Sequence, residues 1–82
     1  MKIEILLFAA LRDAAGESSI RVDADGIETA GDLISTVADV LPEVAQLIRH
    51  SRLAIDGAYV GEQTAIDASA SEFALIPPVS GG

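Results

Sequence analysis

The sequence predicts an α+β domain of two layers, in which one main helix covers one face of a mixed sheet of four to five strands. Its 82 residues leave room for one domain. Several short segments alternate apolar and polar residues as strands do, and one longer segment has apolar residues at helical spacing. We expect the domain to occupy residues 1–76 and a flexible tail to occupy 77–82.

The predicted strands are short. Four segments have the alternation or the β-branched and aromatic content of strands: 2–9, 19–23, 53–60 and 73–76. In the first of them, Ile3, Ile5 and Leu7 share one face. The second alternates again and pairs naturally with the first as a loose hairpin. Asp56-Gly57 divides the third into a strand, a tight turn and a short return strand.

The main helix is predicted over residues 30–41. Its apolar residues recur at the spacing of one buried stripe: Ala30, Leu33, Ile34, Val37, Ala38 and Leu41. Thr29 is the expected N-cap, and Asp32 three residues later forms a short-armed capping box. Pro42 either stops this helix or starts a second one that runs to His50.

A further helical turn is predicted after the first strand, over residues 9–16, with Gly16 ending it. The resulting order is strand, strand, main helix, strand, strand and last strand. Ubiquitin-like β-grasp folds use this order, so we expect that fold. The analogy concerns the fold and does not by itself identify a function.

Composition excludes several classes of function. Thirteen acidic residues against five basic ones give a net charge of −8, which repels phosphate backbones and anionic membranes. We therefore expect no nucleic-acid or membrane partner. The absence of Cys excludes thiolate chemistry and Cys-based metal sites. No apolar run is long enough for a membrane span and no secretory signal is recognisable, so a cytoplasmic location is expected.

Two local patterns have structural interpretations. His50 is the chain's one imidazole and falls at an expected helix C-terminus, where a cation favours the helix dipole. The segment 23–26, Asp-Ala-Asp-Gly, is similar to a fragment of a calcium loop, but the remaining ligand positions do not line up. We therefore expect no metal site.

The end of the sequence has the pattern of a group that enters another protein's active site. It consists of Pro77, Pro78, Val79, Ser80, Gly81 and Gly82. Prolines stiffen the base of such a tail, and glycines fit a slot that admits only backbone. The Gly82 carboxylate is ionised and must be activated, as an acyl-adenylate made by an ATP-using partner, before a sulfur or an amine can attack it.

The folded body must supply a docking surface, because ordering a tail costs about 1–2 kcal/mol per residue. Candidates for an exposed apolar patch are Phe8, Tyr59 and one of Leu75 or Ile76. Since neighbours on a strand face opposite ways, one of Leu75 and Ile76 should lie in the core. All four residues are candidates for the partner interface.

The whole chain resembles the small, sulfur-carrying subunit of molybdopterin synthase. The resemblance rests on residues 8–16, Thr29, 55–60 and, above all, 76–82. The terminal Pro-Pro-Val-Ser-Gly-Gly is its most specific part. The family commonly has Asn where Asp56 stands, Gly-Asp-Glu where this chain has Ala-Ser-Glu at 70–72, and an aromatic residue before the prolines.

The resemblance implies a function for the terminal glycine. Gly82 would be adenylated by an E1-like enzyme that uses ATP, and a sulfur donor protein would convert it to a thiocarboxylate. The tail would then enter the large subunit, which binds a cyclic pterin monophosphate. Two small and two large chains would form a heterotetramer, with Phe8, Tyr59 and Ile76 facing the partners. The chain itself would bind no cofactor and would not be catalytic alone.

Three alternatives remain open at this stage. A sulfur carrier of the thiamine pathway also ends in Gly-Gly, as does a ubiquitin-like protein modifier that is joined to lysines. A plain interaction module with an idle tail is the third. A free thiocarboxylate would indicate a carrier and an isopeptide adduct a modifier, whereas removal of Gly82 would be harmless in the third case.

Overall fold

A computed structural model of the chain describes residues 2–78. Its elements in chain order are β1 (Lys2–Leu7), α1 (Ala9–Ala15), β2 (Ser19–Asp23), α2 (Ala30–Val40), a 3-10 turn (Pro42–Val44), α3 (Ala45–His50), β3 (Arg52–Ile55), β4 (Ala58–Tyr59) and β5 (Phe73–Ile76). The expected α+β class is confirmed. The first strand ends at Leu7 rather than Ala9, because Ala9 adopts a left-handed φ of 52° and starts α1.

The five strands form one mixed sheet in the order β2-β1-β5-β3-β4. The expected hairpin of β1 with β2 is present, with Ile3 opposite Val22. At the centre, β1 runs parallel to β5, while β5 and β3 are antiparallel. The chain therefore leaves β1 and β5 at the same end of the sheet, which places α1 beside the residues that follow β5.

One face of the sheet packs against the helices. Ile3, Ile5 and Leu7 are almost fully buried and join the α2 stripe in one apolar cluster. Five members of the predicted stripe are buried, and Leu41, at the end of α2, is half-buried. The alternation of β1 therefore separates a helix-covered face from a second face on which the helices do not pack.

The N-terminus of α2 is held by the predicted capping box. The Thr29 hydroxyl accepts a hydrogen bond from the Asp32 amide at 3.2 Å, and the Asp32 carboxylate accepts one from the Thr29 amide at 3.1 Å. The Glu28 amide also donates to Asp32. At the other end, α2 stops at Val40 and Pro42 starts the 3-10 turn that leads into α3, so Pro42 separates the two helices.

Two predicted turns are also present. Gly16 has a φ of 74° and closes α1 by donating its amide to the Arg12 carbonyl oxygen. Asp56 and Gly57 have φ values of 50° and 86°, as the two central residues of a type I′ hairpin turn do. This turn fixes β4 against β3, with Tyr59 opposite Ala54.

None of the helices in the described part of the chain is long and apolar enough to cross a bilayer. Residues 2–78 also contain no group of three or more His, Cys, Asp or Glu side chains positioned to hold a metal ion. In the segment that is similar to a calcium loop, the Asp23 carboxylate accepts the Asp25 amide at 3.0 Å.

Candidate functional site

The face of the sheet away from the helices carries a continuous apolar row. Strand register sets Leu6 beside Ala74, Ala74 beside Ala54, and Ala54 beside Tyr59. Residues paired in register point to the same side of a sheet, so the row crosses four strands. The two alanines are nearly covered by their larger neighbours, whereas Tyr59 is 54% exposed.

A second pair of side chains extends this row toward the end of the sheet where β5 finishes. Leu7 pairs with Leu75, and the next residues along both strands are Phe8 and Ile76. Phe8 is still extended, with φ −121° and ψ 157°, and its side chain is 42% exposed. Its position is therefore beside Ile76. We call Leu6, Phe8, Ala54, Tyr59, Ala74 and Ile76 the apolar face.

Leu75 does not belong to the apolar face. It is 1% exposed and lies opposite Leu53 on the helix-covered side of the sheet. Its assignment to the partner interface is therefore wrong, because successive strand residues point to opposite faces. Ile76, the alternative candidate, is half-buried and lies on the other side.

The two prolines after β5 differ in burial. Pro77 is buried and Pro78 is exposed, so Pro77 packs with the domain although the sequence assigned it to the tail. Val79, Ser80, Gly81 and Gly82 lie outside the described residues. The role of the tail stays a prediction, and the described chain ends next to the apolar face.

Arg52 adds a cation to this surface. Its Cζ atom lies 4.3 Å from the centroid of the Tyr59 ring, within the range of a cation–π interaction. Arg52 pairs with Ile76 in register, and so lies on the same side of the sheet. Arg52 was not among the site residues predicted from the sequence. The sequence does contain a signal for the location of Arg52. Arg52 lies two residues before Ala54 on one strand, so both side chains are on the same face of the sheet.

Val40 is an exposed apolar residue that was not predicted from the sequence. It is 52% exposed near the C-terminal end of α2, on the helix layer rather than the apolar face. Its position outside the buried stripe of the amphipathic helix indicates that its side chain is exposed. Val40 therefore provides an exposed apolar position that lies on the helix layer and outside the apolar face.

Three carboxyl groups whose pKa is lowered have structural roles. Hydrogen bonds from the backbone amides of Glu28 and Thr29 lower the pKa of Asp32. A hydrogen bond from the Asp25 amide likewise lowers the pKa of Asp23. Bonds from the hydroxyl and amide of Ser69 lower that of Asp67. These carboxylates stay ionised as caps of turns and a helix.

His50 also has a structural contact. Its Nδ1 donates to the Gln46 carbonyl oxygen at 2.8 Å, at the end of α3. The neighbouring Ser51 hydroxyl donates to the Leu47 carbonyl oxygen at 2.7 Å. Both side chains therefore satisfy carbonyls of the last helical turn.

A cleft of about 310 Å³ lies where β1 and β5 begin, at the opposite end from Phe8 and Arg52. Lys2, Glu4 and Glu72 contribute mixed charges to its lining. The rest of the lining is half large apolar residues and half small residues: Ile3, Leu6, Phe73, Ala68, Ala70 and Ser71. Its position separates it from the end of the sheet at which the chain continues toward Gly82.

The model of the ThiS family matches residues 5–82. The chain belongs to the ThiS family. This ThiS-family chain is 34% identical to the molybdopterin synthase sulfur carrier subunit of Dictyostelium discoideum, an alignment that covers 99% of this chain and 96% of that one. It is 37% identical to small archaeal modifier protein 1 of Haloferax volcanii, over 98% of this chain and 100% of the relative.

Comparison with solved structures confirms the fold. The crystal structure of SAMP1 from Haloferax volcanii superposes with a TM-score of 0.80 at 32% identity, and each chain is covered completely. The ThiS-family chain therefore has the ubiquitin-like β-grasp fold that the order of its elements predicts.

Proposed function

We propose that this ThiS-family chain is the sulfur carrier of molybdopterin synthesis and that it carries sulfur on the carboxyl group of Gly82. The proposal rests on one observation. The apolar face reaches the end of the sheet where β5 continues toward Pro78 and the tail. A partner that binds this surface would therefore lie where the tail can enter it. The identity to the Dictyostelium carrier subunit supports this assignment.

The apolar face supplies the binding energy for this insertion. Phe8 and Tyr59 expose large apolar side chains, whose burial contributes about 25 cal/mol per Å² of apolar surface. Ordering the tail costs about 1–2 kcal/mol per residue, so a surface of this kind offsets the cost. The face lies on a rigid sheet, which limits further ordering on binding.

The chemistry takes place at the terminal carbonyl. An E1-like enzyme transfers AMP from ATP to the Gly82 carboxylate and releases pyrophosphate. A persulfide of the donor protein attacks the acyl carbon, and AMP leaves. A second thiol of the donor then attacks the resulting acyl disulfide, so that a disulfide forms on the donor and the thiocarboxylate is released on Gly82. In the synthase, the thiocarboxylate sulfur attacks a carbon of the pterin precursor and displaces an oxygen substituent, which forms a thioester between the two. Water then cleaves the acyl–sulfur bond, so that the sulfur stays on the pterin and Gly82 is again a carboxylate. The chain carries the reacting group, and its partners catalyse each step.

The charge of the chain fits this division between subunits. Its net charge of −8 opposes binding of a phosphorylated pterin, so the precursor belongs on the large subunit. The same charge accelerates association with a more basic partner. We propose two such large subunits and two carriers in the working synthase, with Phe8, Tyr59 and Ile76 in the contact.

Conjugation to other proteins is the alternative function. The observation that favours it is the 37% identity to small archaeal modifier protein 1. The same Gly82 adenylate would then accept a lysine amine and form an isopeptide bond. The two functions share the fold and the activation step and differ in the nucleophile, so they are distinguished by the product. A carrier for thiamine synthesis differs from the proposal only in the acceptor of the sulfur.

Two changes at the terminus test the proposal in cells that depend on this chain for molybdoenzyme activity. Deletion of Gly82, or addition of one residue after it, should abolish molybdoenzyme activity. Thermal unfolding should be unchanged, because the buried core residues lie between Ile3 and Leu75 and not at the terminus. Full activity of either variant would overturn the proposal. Loss of isopeptide adducts without loss of molybdoenzyme activity would favour the modifier instead.

A further inference from the structure

We propose that Arg52, stacked on Tyr59, is a specificity-determining residue that pairs with a carboxylate of the docked partner. The proposal rests on the proposed function, since the partner is the protein that receives the tail. Arg52 would add a charged contact to the apolar face. This contact would favour binding of the correct partner over other proteins with apolar surfaces.

The geometry places Arg52 between two parts of the apolar face. It begins β3 and pairs with Ile76, the last residue of β5. On its other side, its guanidinium lies 4.3 Å from the centroid of the Tyr59 ring. A planar guanidinium that stacks on a ring keeps its N–H edge available, and that edge matches the two oxygens of a carboxylate. Arg52 is exposed, so a partner can reach it.

Docking changes the environment of this cation. A protein that covers Tyr59 and Ile76 also removes water from Arg52, which lies between them. A charge that loses water without gaining a partner is costly. Within residues 2–78 the guanidinium stacks on the Tyr59 ring rather than on a carboxylate. The docked protein must therefore supply the acceptor.

The charge distribution gives Arg52 a distinctive position. The chain has five basic residues against thirteen acidic ones. Register places Asp56 and Glu72 at the end of the sheet where β3 finishes and β5 begins, whereas Arg52 lies at the end where β5 finishes. A partner that is basic overall is attracted by the acidic body. A Lys or Arg facing Arg52 would nevertheless repel it, so the local contact discriminates among basic partners.

The test compares Arg52→Glu with Arg21→Glu, which makes the same change in net charge. Arg21 is exposed on the same side of the sheet, opposite Glu4 on β1, and two strands away from the β3–β5 pair. Affinity for the large subunit and for the E1-like enzyme of the same organism is measured by calorimetry. Thermal unfolding of each variant shows whether the fold is kept.

We expect Arg52→Glu to weaken binding to the large subunit by about 30-fold or more, and Arg21→Glu by roughly 3-fold or less. Arg52→Lys should lie between wild type and Arg52→Glu, because it keeps the charge and loses the planar stacking. An acidic-to-Lys change in the large subunit that restores binding of Arg52→Glu would identify the carboxylate.

Equal effects of Arg52→Glu and Arg21→Glu would overturn the inference and assign the effect to net charge. Its failure is distinguishable from failure of the proposed function. If Arg52→Glu binds like wild type while deletion of Gly82 still abolishes molybdoenzyme activity, the carrier function stands and the inference is wrong. If the wild-type chain binds neither protein, both are wrong.

Discussion

Asp56 and Glu72 are joined by two hydrogen bonds that tie the β3–β4 turn to the start of β5. The Asp56 amide donates to the Glu72 carbonyl oxygen at 2.9 Å, and the Glu72 amide donates to the Asp56 carboxylate at 2.7 Å. The family that the sequence resembles commonly has Asn at the position of Asp56. At residues 70–72 this chain also differs from that family. The contact fixes the entry of the strand that leads to Ile76.

Substitutions of Asp56 should separate its hydrogen bond from its charge. Asp56 has a left-handed φ of 50°, which Asn adopts readily and Ala does not. We expect Asp56→Asn to stay within about 0.5 kcal/mol of wild type and Asp56→Ala to lose about 1–3 kcal/mol of unfolding free energy. Urea denaturation measures both. Equal losses would contradict this expectation, because they would show that a neutral acceptor cannot replace the carboxylate.

Leu75 and Ile76 should respond oppositely to truncation although they are adjacent. Leu75 is buried in the core, so Leu75→Ala should cost about 2–5 kcal/mol of unfolding free energy. Ile76 is half-buried on the apolar face, so Ile76→Ala should cost about 1 kcal/mol and mainly weaken partner binding. Chemical denaturation and calorimetry distinguish the two, and a reversed order would contradict the assignment of the faces.

Phe8 and Tyr59 should matter for binding more than for stability. Both are about half exposed on the apolar face, so truncation to Ala removes little core packing. We expect either variant to weaken binding to the large subunit by about 10-fold or more and to change unfolding free energy by about 1 kcal/mol or less. Val40→Ala is the matched control, and it should leave affinity unchanged. An equal loss for Val40→Ala would place the contact elsewhere.

Acid should weaken the fold partly through Asp32. Hydrogen bonds from the Glu28 and Thr29 amides lower its folded pKa below the ordinary value of 3.8 for an Asp carboxyl group. A lowered folded pKa contributes stability that is present above 3.8 and is lost as the pH falls through the lower folded pKa. Asp32→Asn, which does not titrate, should show a smaller loss over that pH window in urea unfolding. Identical pH profiles would contradict the role of the charged cap.

Local features of the fold could be predicted because their signals lie within a few residues. The alternation of apolar and polar residues in β1 predicted its buried face. The spacing of Leu33 and Val37 predicted the buried stripe of α2. The Thr29 and Asp32 capping box, like the Asp56-Gly57 turn, depends on residues close in sequence.

Features of the candidate site that depend on strand pairing could not be predicted in full. Alternation shows that Leu75 and Ile76 face opposite ways, but only the packing of the helices shows which one is buried. The contact of Arg52 with Tyr59 depends on the register of β3 with β4, which the sequence does not specify. The position of Pro77 in the domain depends on the neighbours of the end of β5.

We propose that Gly82 carries the sulfur, and this can be observed on the chain itself. The most direct measurement is the intact mass of the purified chain after incubation with ATP, the E1-like enzyme and the sulfur donor protein, with fragmentation to locate any change. We expect one oxygen at Gly82 to be replaced by sulfur, and only when ATP is present. A chain recovered unmodified, or recovered only as isopeptide adducts on lysines, would contradict it.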